Sequence, residues 1–331
     1  MLHVPFHLSG VGIDVSDHHV RLARVSRWGR VRAVRELTLP EGCVEDEQVR
    51  DPKHLRTFLE SALARGPFSR RAFPAVLLVP ESRVFSSQVS LSAGVARGAW
   101  QEEARRRAQQ DIPLSFTHAR VSFESMADKS VGPRVTAYAA EEAVVEGLLA
   151  AVGLPSFAMA AAEANTKAVW RLCRRFAPHV RPAPRELLGI VDVGHTWATI
   201  AFYADGGSCL FSRTFRVHPP STKRGTDALL SGIPSKRSVD MILETIQDSV
   251  VYFEPRGWRV SCVVLAGVEA AHKTVLEACA KVRPELPMFP IGKVVRVPGL
   301  SPREVHAYGA ALGAALRAAC PRRFSADHTF I

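Results

Sequence analysis

One pattern occurs twice in this chain, and the second occurrence limits the fold more than any other feature. Leu187, Leu188, Ile190 and Val191 form a short apolar run, the mark of a strand buried on both faces. The run ends at Asp192-Val193-Gly194-His195-Thr196. Trp197 to Tyr203 and Cys209 to Val217 then flank Asp205-Gly206-Gly207, a hairpin-turn signal. Gly12-Ile13-Asp14-Val15-Ser16 opens the other copy, followed by Val20 to Val25, a Trp28-Gly29-Arg30 turn and Val31 to Leu39. Asp14 and Asp192 stand 178 positions apart in a chain of 331 residues. A duplication at half the chain length predicts two similar lobes rather than a solenoid. An acid at the tip of a buried strand, followed by glycine and a hydroxyl, suits a bound phosphate. The glycine lets backbone N–H groups approach the oxygens, and the acid holds a hydrated magnesium ion. Two such lobes facing each other would clamp a nucleoside triphosphate.

The length suffices for two domains with buried cores. Hydrophobic residues make up 47% and charged residues 23%, ordinary values for a globular chain. No apolar run reaches the roughly 18 residues needed to span a bilayer. The start, MLHVPFHLSG, lacks the basic segment and long apolar core of a signal peptide, so a cytoplasmic location is expected. Six cysteines (Cys43, Cys173, Cys209, Cys262, Cys279 and Cys320) show no metal-ligand spacing and read as buried free thiols. The net charge of +11 comes mostly from dispersed arginines, with clusters at Arg105-Arg106-Arg107 and Arg174-Arg175. No aromatic-interleaved nucleic-acid module accompanies them. A solvated surface, or loose attraction to an anionic membrane, accounts for the charge.

Between the two hairpin units the pattern changes twice. Asp51-Pro52 opens a helix whose Leu55, Phe58, Leu59, Ala62 and Leu63 share one face, stopped by Arg65-Gly66-Pro67. Ala75 to Val79 is a buried strand. From about Val84 to Ala151 the order is strand, helix, strand, strand, helix: a compact α+β unit inside the first lobe. Ala160 to Phe176 reads as a helix joining the halves, with Glu163 as an exposed helix glutamate. His218 to Ser238 is a Pro-, Ser-, Lys- and Arg-rich connection, followed by a helix over Val239 to Phe253 and a strand over Val260 to Leu265. A helix is expected over Glu269 to Lys281. Ser301-Pro302-Arg303-Glu304 is a capping box opening the last helix, whose Ala307, Ala311 and Ala314 permit close approach. Cys320 to Ile331 reads as a loose tail.

Five ordered blocks resemble the actin-like ATPase superfamily and, within it, the type IV pilus assembly family PilM. DVGHT resembles the second phosphate loop, and GIDVS the opening of the first. VSCVVLAG, Val260 to Gly267, stands where the adenosine-binding strand and turn belong. Gly94 to Glu124, with WQEEARRRAQQDIPLSF, resembles an inserted small domain, and YGAALGAA the closing helix. The resemblance spans roughly Val11 to Ala319. It implies an α/β, actin-like ATPase (ribonuclease H-like) duplicated two-lobe fold with a small inserted α+β domain. The implied boundaries are 1–83 with 152–184 for the first lobe, 84–151 for the insertion, 185–319 for the second lobe and 320–331 for a flexible tail. It implies ATP and Mg2+ held by Asp14, Ser16, Asp192, Gly194, His195, Thr196 and Gly267, with Asp14 and Asp192 reaching the ion through water. It also implies a partner: the cytoplasmic N-terminal peptide of a PilN-like inner-membrane protein, bound near Trp100. Other pilus or secretion platform proteins, or a second copy of the chain, are further partners. Membrane contact is then indirect, through the partner at the inner membrane, and nucleic acid is not expected.

The first loop departs from that family. Ser16-Asp17-His18-His19 replaces its glycine and small hydroxyls, and Arg21 stands near its lysine. Asp17 would put a carboxylate beside the phosphates, and two like charges about 4 Å apart at a dielectric near 20 repel by about 4 kcal/mol. A metal site built on Asp14, Asp17, His18 and His19 is awkward, because neighbours in a strand point to opposite faces. The adenosine turn keeps only Gly267, followed by Val268-Glu269-Ala270-Ala271, and Arg224 to Lys236 is short for a purine-contacting helix. Weak or absent hydrolysis is therefore expected. The alternatives are an active ATPase, a small-molecule kinase with Glu163 as its base, or an FtsA-like polymerising protein. The last needs an amphipathic C-terminal helix, which Pro321 and the polar tail do not favour.

Overall fold

The computed structural model describes residues 9–69, 72–92, 94, 99–125, 134–194, 196–217, 236–267, 273–278, 284–321 and 329–331. The chain divides into two compact units. Met1–Ala168 with Ala310–Ile331 form the first, and Val169–Gly309 the second.

In the first unit, β1 (Ser9–Val15), β2 (His19–Ser26) and β3 (Val31–Thr38) form an antiparallel meander. β4 (Val44–Glu45) and β5 (Gln48–Val49) make a small ribbon before α1 (Pro52–Leu63). α1 is capped by Asp51, whose carboxylate accepts from His54 N–H at 2.9 Å, and it buries Leu55, Leu59 and Leu63. β6 (Phe73–Val79) runs parallel to β1 on its other side, so β1 is enclosed and its Val11, Ile13 and Val15 are buried. β10 (Phe157–Ala164) adds in parallel on β6, giving the order β10-β6-β1-β2-β3.

Inside this unit, β7 (Val84–Ser90), α2 (Trp100–Asp111), β8 (Ala119–Ser125) and β9 (Arg134–Glu141) build a separate antiparallel sheet, β7-β9-β8. It has its own core, Val89, Ala104, Ala108, Ile112, Phe116, Val135, Ala137 and Ala139. Alternation in β7 and the row of small residues on α2 dictate that packing. The Gly132-Pro133 turn lies outside the described residues. α3 (Glu142–Val152) returns the chain to the lobe and packs on α1.

The second unit repeats the first. β11 (Glu186–Val193), β12 (Trp197–Tyr203) and β13 (Cys209–Arg216) form the meander. β14 (Arg259–Gly267) and β15 (Met288–Pro290) add in parallel beyond β11. The order β13-β12-β11-β14-β15 matches β3-β2-β1-β6-β10 strand for strand. α5 (Lys236–Phe253) buries Ile242, Ile246, Val250 and Phe253, the face read from its spacing. Residues 273–278 are helical; the rest of the expected Glu269–Lys281 helix, and the connection 218–235, lie outside the described residues.

The joining segment corrects the sequence reading. The expected helix over Ala160 to Phe176 is two elements: the strand β10, then α4 (Asn165–Phe176). Alanine-rich Phe157–Ala164 favours helix intrinsically, but parallel pairing along β6, interrupted by one bulge between Met159 and Ala161, overrides the propensity.

α6 (Pro302–Ala319) begins at the expected capping box: Glu304 accepts from Ser301 N–H at 2.8 Å, and Ser301 Oγ accepts from Glu304 N–H at 3.3 Å. Its small residues let it lie directly on β1. A Cβ on Gly12 would overlap the Ala311 carbonyl oxygen, and one on Gly10 the Ala318–Ala319 backbone. One on Gly313 would overlap the Ala168 carbonyl of α4. The tail is not loose at its far end. Phe330 is buried and its N–H donates to Ala162 O at 2.8 Å on β10, while Thr329 N–H donates to Ser122 Oγ at 3.0 Å on β8.

Candidate functional site

The duplicated acids occupy matching places. Asp14 is the penultimate residue of β1 and Asp192 that of β11, each where parallel strands end at the carboxyl edge of the sheet. Such edges are where open α/β sheets receive ligands. The turns that follow also match. Ser16 N–H donates to His19 O at 2.9 Å, and Gly194 N–H donates to Trp197 O at 2.8 Å. Ser16, Asp17, His18 and His19 therefore correspond in place to Gly194, His195, Thr196 and Trp197; His195 itself lies outside the described residues.

The chemistry of the two turns differs. In the first, Ser16 closes the turn with its side chain: Oγ donates to His19 O at 3.1 Å and accepts from His19 N–H at 3.2 Å. In the second, Gly194 has no side chain, and a Cβ there would stand 3.1 Å from Trp197 O. Thr196 O accepts from Val217 N–H at 2.8 Å, which ties the turn to the end of β13. Gly267, at the end of β14, has φ +91°, and a Cβ would overlap the backbone of Val193. Its glycine identity is required by the left-handed backbone and by the close approach of two strands. Asp192, Val193, Gly194, Thr196 and Gly267 thus meet at one edge of one sheet.

Across the first sheet a charged ladder runs Asp14–Arg21–Glu36, one residue on each strand of the meander. Arg21 Nε donates to Glu36 Oε2 at 2.6 Å, so its charge is committed there. Burial pushes the Asp14 carboxyl above its ordinary pKa; Arg21 pulls it down and Glu36 pushes it up. The matching ladder in the second sheet is Asp192–Thr199–Thr214, with the two threonine hydroxyls 2.9 Å apart.

Asp17 does not stand free beside the turn. Its Oδ1 accepts from Glu47 N–H at 2.6 Å, which fixes the β4–β5 turn, where Asp46 (φ 56°) and Glu47 (φ 59°) are left-handed. Ser82 Oγ bonds Glu47 Oε2, and Arg83 donates to Asp46 O at 2.7 Å. The repulsive carboxylate expected from the sequence is thus spent on holding an acidic turn. Among the described residues no three of His, Cys, Asp and Glu are grouped to hold a metal ion.

Glu163 is on the strand β10, fully buried, and accepts from Arg317 Nη1 of α6 at 2.6 Å. This corrects its reading as an exposed helix residue. Two further carboxylates are engaged nearby in the chain fold. Glu81, just beyond β6, accepts from Thr166 N–H at 3.0 Å and from its hydroxyl, capping α4. Glu124 of β8 accepts from Lys167 Nζ at 2.5 Å and from Tyr138 OH at 3.3 Å, tying the inserted sheet to α4. Sequence reasoning found none of these pairs, because each joins residues distant in the chain and no local spacing announces them.

Trp100 opens α2 and packs edge-on against Phe123, ring centroids 6.3 Å apart, at the margin of the inserted core. Lys236 is exposed at the start of α5, and Lys223 lies outside the described residues. Of the cysteines described, Cys43, Cys173, Cys209 and Cys262 are buried, Cys320 is partly exposed, and all five are free. Burial raises the Cys173 thiol to about 12 and the Cys262 thiol to about 11, which makes both inert.

No family model matches this sequence. A chain of the PilM–PilN type IV pilus biogenesis complex superposes with TM-score 0.73 at 16% identity, covering 94% of this chain and 98% of that one. A Bacteroides thetaiotaomicron protein with actin-like ATPase fold and unknown function aligns with TM-score 0.49 at 9% identity over 90% of this chain and 96% of its own. The ethanolamine utilization protein EutJ from Carboxydothermus hydrogenoformans gives 0.46 at 14% identity over 93% and 89%. The fold is the actin-like ATPase fold. Within it this chain is PilM-like in structure, and at such low identity the likeness is one of architecture. No helix of the described residues is long and apolar enough to cross a membrane.

Proposed function

We propose that this chain is a cytoplasmic, actin-fold scaffold protein of type IV pilus assembly. Its partner is the N-terminal peptide of a PilN-like inner-membrane protein, through which it sits at the membrane. The observation that carries the reading is the superposition on a chain of the PilM–PilN complex over nearly the full length of both. In this reading residues 84–151 are the interaction module, with 1–83 and 152–184 as the first lobe and 185–319 as the second. An inserted sheet with its own core supports that division. Trp100, at the margin of that core, is the contact to test first.

ATP and Mg2+ belong to the same proposal, with hydrolysis weak or absent. The second turn fits a phosphate: Asp192, Gly194 and Thr196 gather at a sheet edge, with His195 beside them in sequence. Asp14 is part-buried at the strand end, and the one cation opposite it, Arg21, is already paired with Glu36, which leaves its carboxylate for a hydrated cation. The first turn does not fit a phosphate, because the Ser16 hydroxyl and N–H are both spent on His19. Arg21 is likewise spent on Glu36. The kinase alternative would need Glu163 as a base, and its carboxylate is bonded to Arg317 in the core.

The test has two arms. Fluorescence anisotropy with the N-terminal peptide of a PilN-like protein should show saturable binding that weakens in Trp100→Ala; no binding at high protein concentration would overturn the partner. Calorimetry with Mg-ATP should show binding that is lost in Asp192→Ala, with negligible turnover. Turnover at the rate of an active ATPase, abolished by the same substitution, would overturn the scaffold reading.

A further inference from the structure

The β2–β3 hairpin carries charge in a way the rest of the fold does not need. Between Arg21 and Glu36 the chain has five arginines (Arg24, Arg27, Arg30, Arg32 and Arg35) and no acid. At its tip stands Trp28, 64% exposed, the most exposed of the large apolar side chains described. The tip is rigid. Gly29 N–H donates to Ser26 O at 2.8 Å, Ser26 N–H to Arg30 O at 2.9 Å, and Arg30 N–H also to Ser26 Oγ at 3.1 Å. Gly29 takes the left-handed conformation the turn requires, φ 81°. Trp28 is therefore held outward on a closed turn instead of folding back on the sheet.

The arginines around it are gathered rather than neutralised. Arg27 lies over the Trp28 ring, 4.3 Å from its centroid. Arg27, Arg30 and Arg32 are exposed, and none pairs with a carboxylate of the described residues. Arg24, two residues before the turn, donates to Pro67 O at 2.5 Å and lies over Phe73 at 5.1 Å. Burial lowers its pKa, and the like charge of Arg32 close by lowers it further. Holding these charges together is unfavourable unless something anionic meets them.

We propose that the tip Arg27–Arg32 docks this chain directly on an anionic lipid surface, with Trp28 at headgroup depth. Tryptophan has an apolar body and a polar N–H, which suits the membrane interface. Arginine lays its stem along apolar surface while its guanidinium reaches phosphates. A convex turn has no groove to follow a nucleic-acid strand and offers one ring where stacking platforms offer several. A fluid lipid surface imposes no such shape. Each arginine near such a surface contributes about fivefold in affinity, so three together contribute about 100-fold, screened by salt. This contact is independent of any peptide partner.

Co-sedimentation of the full chain with vesicles tests it, using phosphatidylcholine with and without phosphatidylglycerol. Binding should require phosphatidylglycerol and fall with added salt. It should drop about 100-fold or more in Arg27→Glu/Arg30→Glu/Arg32→Glu and several-fold in Trp28→Ala, with melting temperatures unchanged because all four residues are exposed. Lipids brominated near the headgroup should quench tryptophan fluorescence in the parent and not in Trp28→Phe. Equal binding by the triple variant, no binding at low salt, or quenching that survives Trp28→Phe would each overturn the proposal. So would duplex DNA bound more tightly than vesicles through the same arginines.

Discussion

The two hairpins share a backbone and differ in nearly every polar choice. Asp14 and Asp192 hold the same register, and the turns after them close with the same N–H to carbonyl bond. Yet the first turn is sealed by a serine side chain and backed by an arginine–glutamate rung. The second is opened by glycine and backed by two threonines. Even the strands differ in how they are covered. Gly12 of β1 lies under the backbone of α6, while its counterpart in β11 is Ile190. The lesson is that a duplicated backbone conserves what the sheet needs, a buried strand and a tight return. What a ligand would need is free to diverge.

The largest break in the comparison comes from Gly12→Ile, which imports the second unit's residue into the first. The side chain would overlap the Ala311 carbonyl, and backbone cannot yield as a side-chain tip can. Destabilisation of about 3 kcal/mol or more is expected, read as a fall in the denaturation midpoint at constant slope. A shift within experimental scatter would mean α6 does not rest on β1 as described.

A smaller effect sharpens it. Ser16→Gly makes the first turn resemble the second and removes two side-chain hydrogen bonds, so it should cost about 1–2 kcal/mol. If it also raises Mg-ATP affinity, the serine seal is what separates the two turns. If stability falls and affinity does not move, the difference lies in the Arg21–Glu36 rung.

The smallest effect concerns pH. The Asp14 pKa in the folded chain is raised above its ordinary value of 3.8, mainly by burial. The native state therefore binds this proton more tightly than the unfolded chain, and stability declines as pH rises from about 3.8 through the raised value. Asp14→Asn should be slightly more stable than the parent at neutral pH and equal to it below that window. Mg2+ should raise the melting temperature of the parent and leave Asp14→Asn unmoved. A variant less stable at every pH would mean that the charged carboxylate is paired rather than merely buried.

Much of the fold was legible locally. The period-two apolar runs, the glycine turns and the repeat of an acid after a buried strand gave both meanders and their equivalence. The capping box and small-residue row gave α6. The misread joining helix and the misread Glu163 have one physical cause. Ala160–Ala164 has helical propensity, and only the neighbouring strand β6 makes it a strand. With that strand comes the burial of Glu163 and its pairing with Arg317, 154 positions away.

The sequence by itself determined which segments are strands, where they turn, and that the pattern is used twice. Those depend on side-chain periodicity and backbone conformations set within a few residues. Only the tertiary structure decided which polar groups remain available. Asp17 is tied to Glu47, Arg21 to Glu36, Glu81 to Thr166 and Glu124 to Lys167, each across a gap no local pattern encodes. A buried or half-buried polar group must find a partner wherever the fold brings one. A motif on paper can list the atoms of a site, but packing decides which of them are already taken.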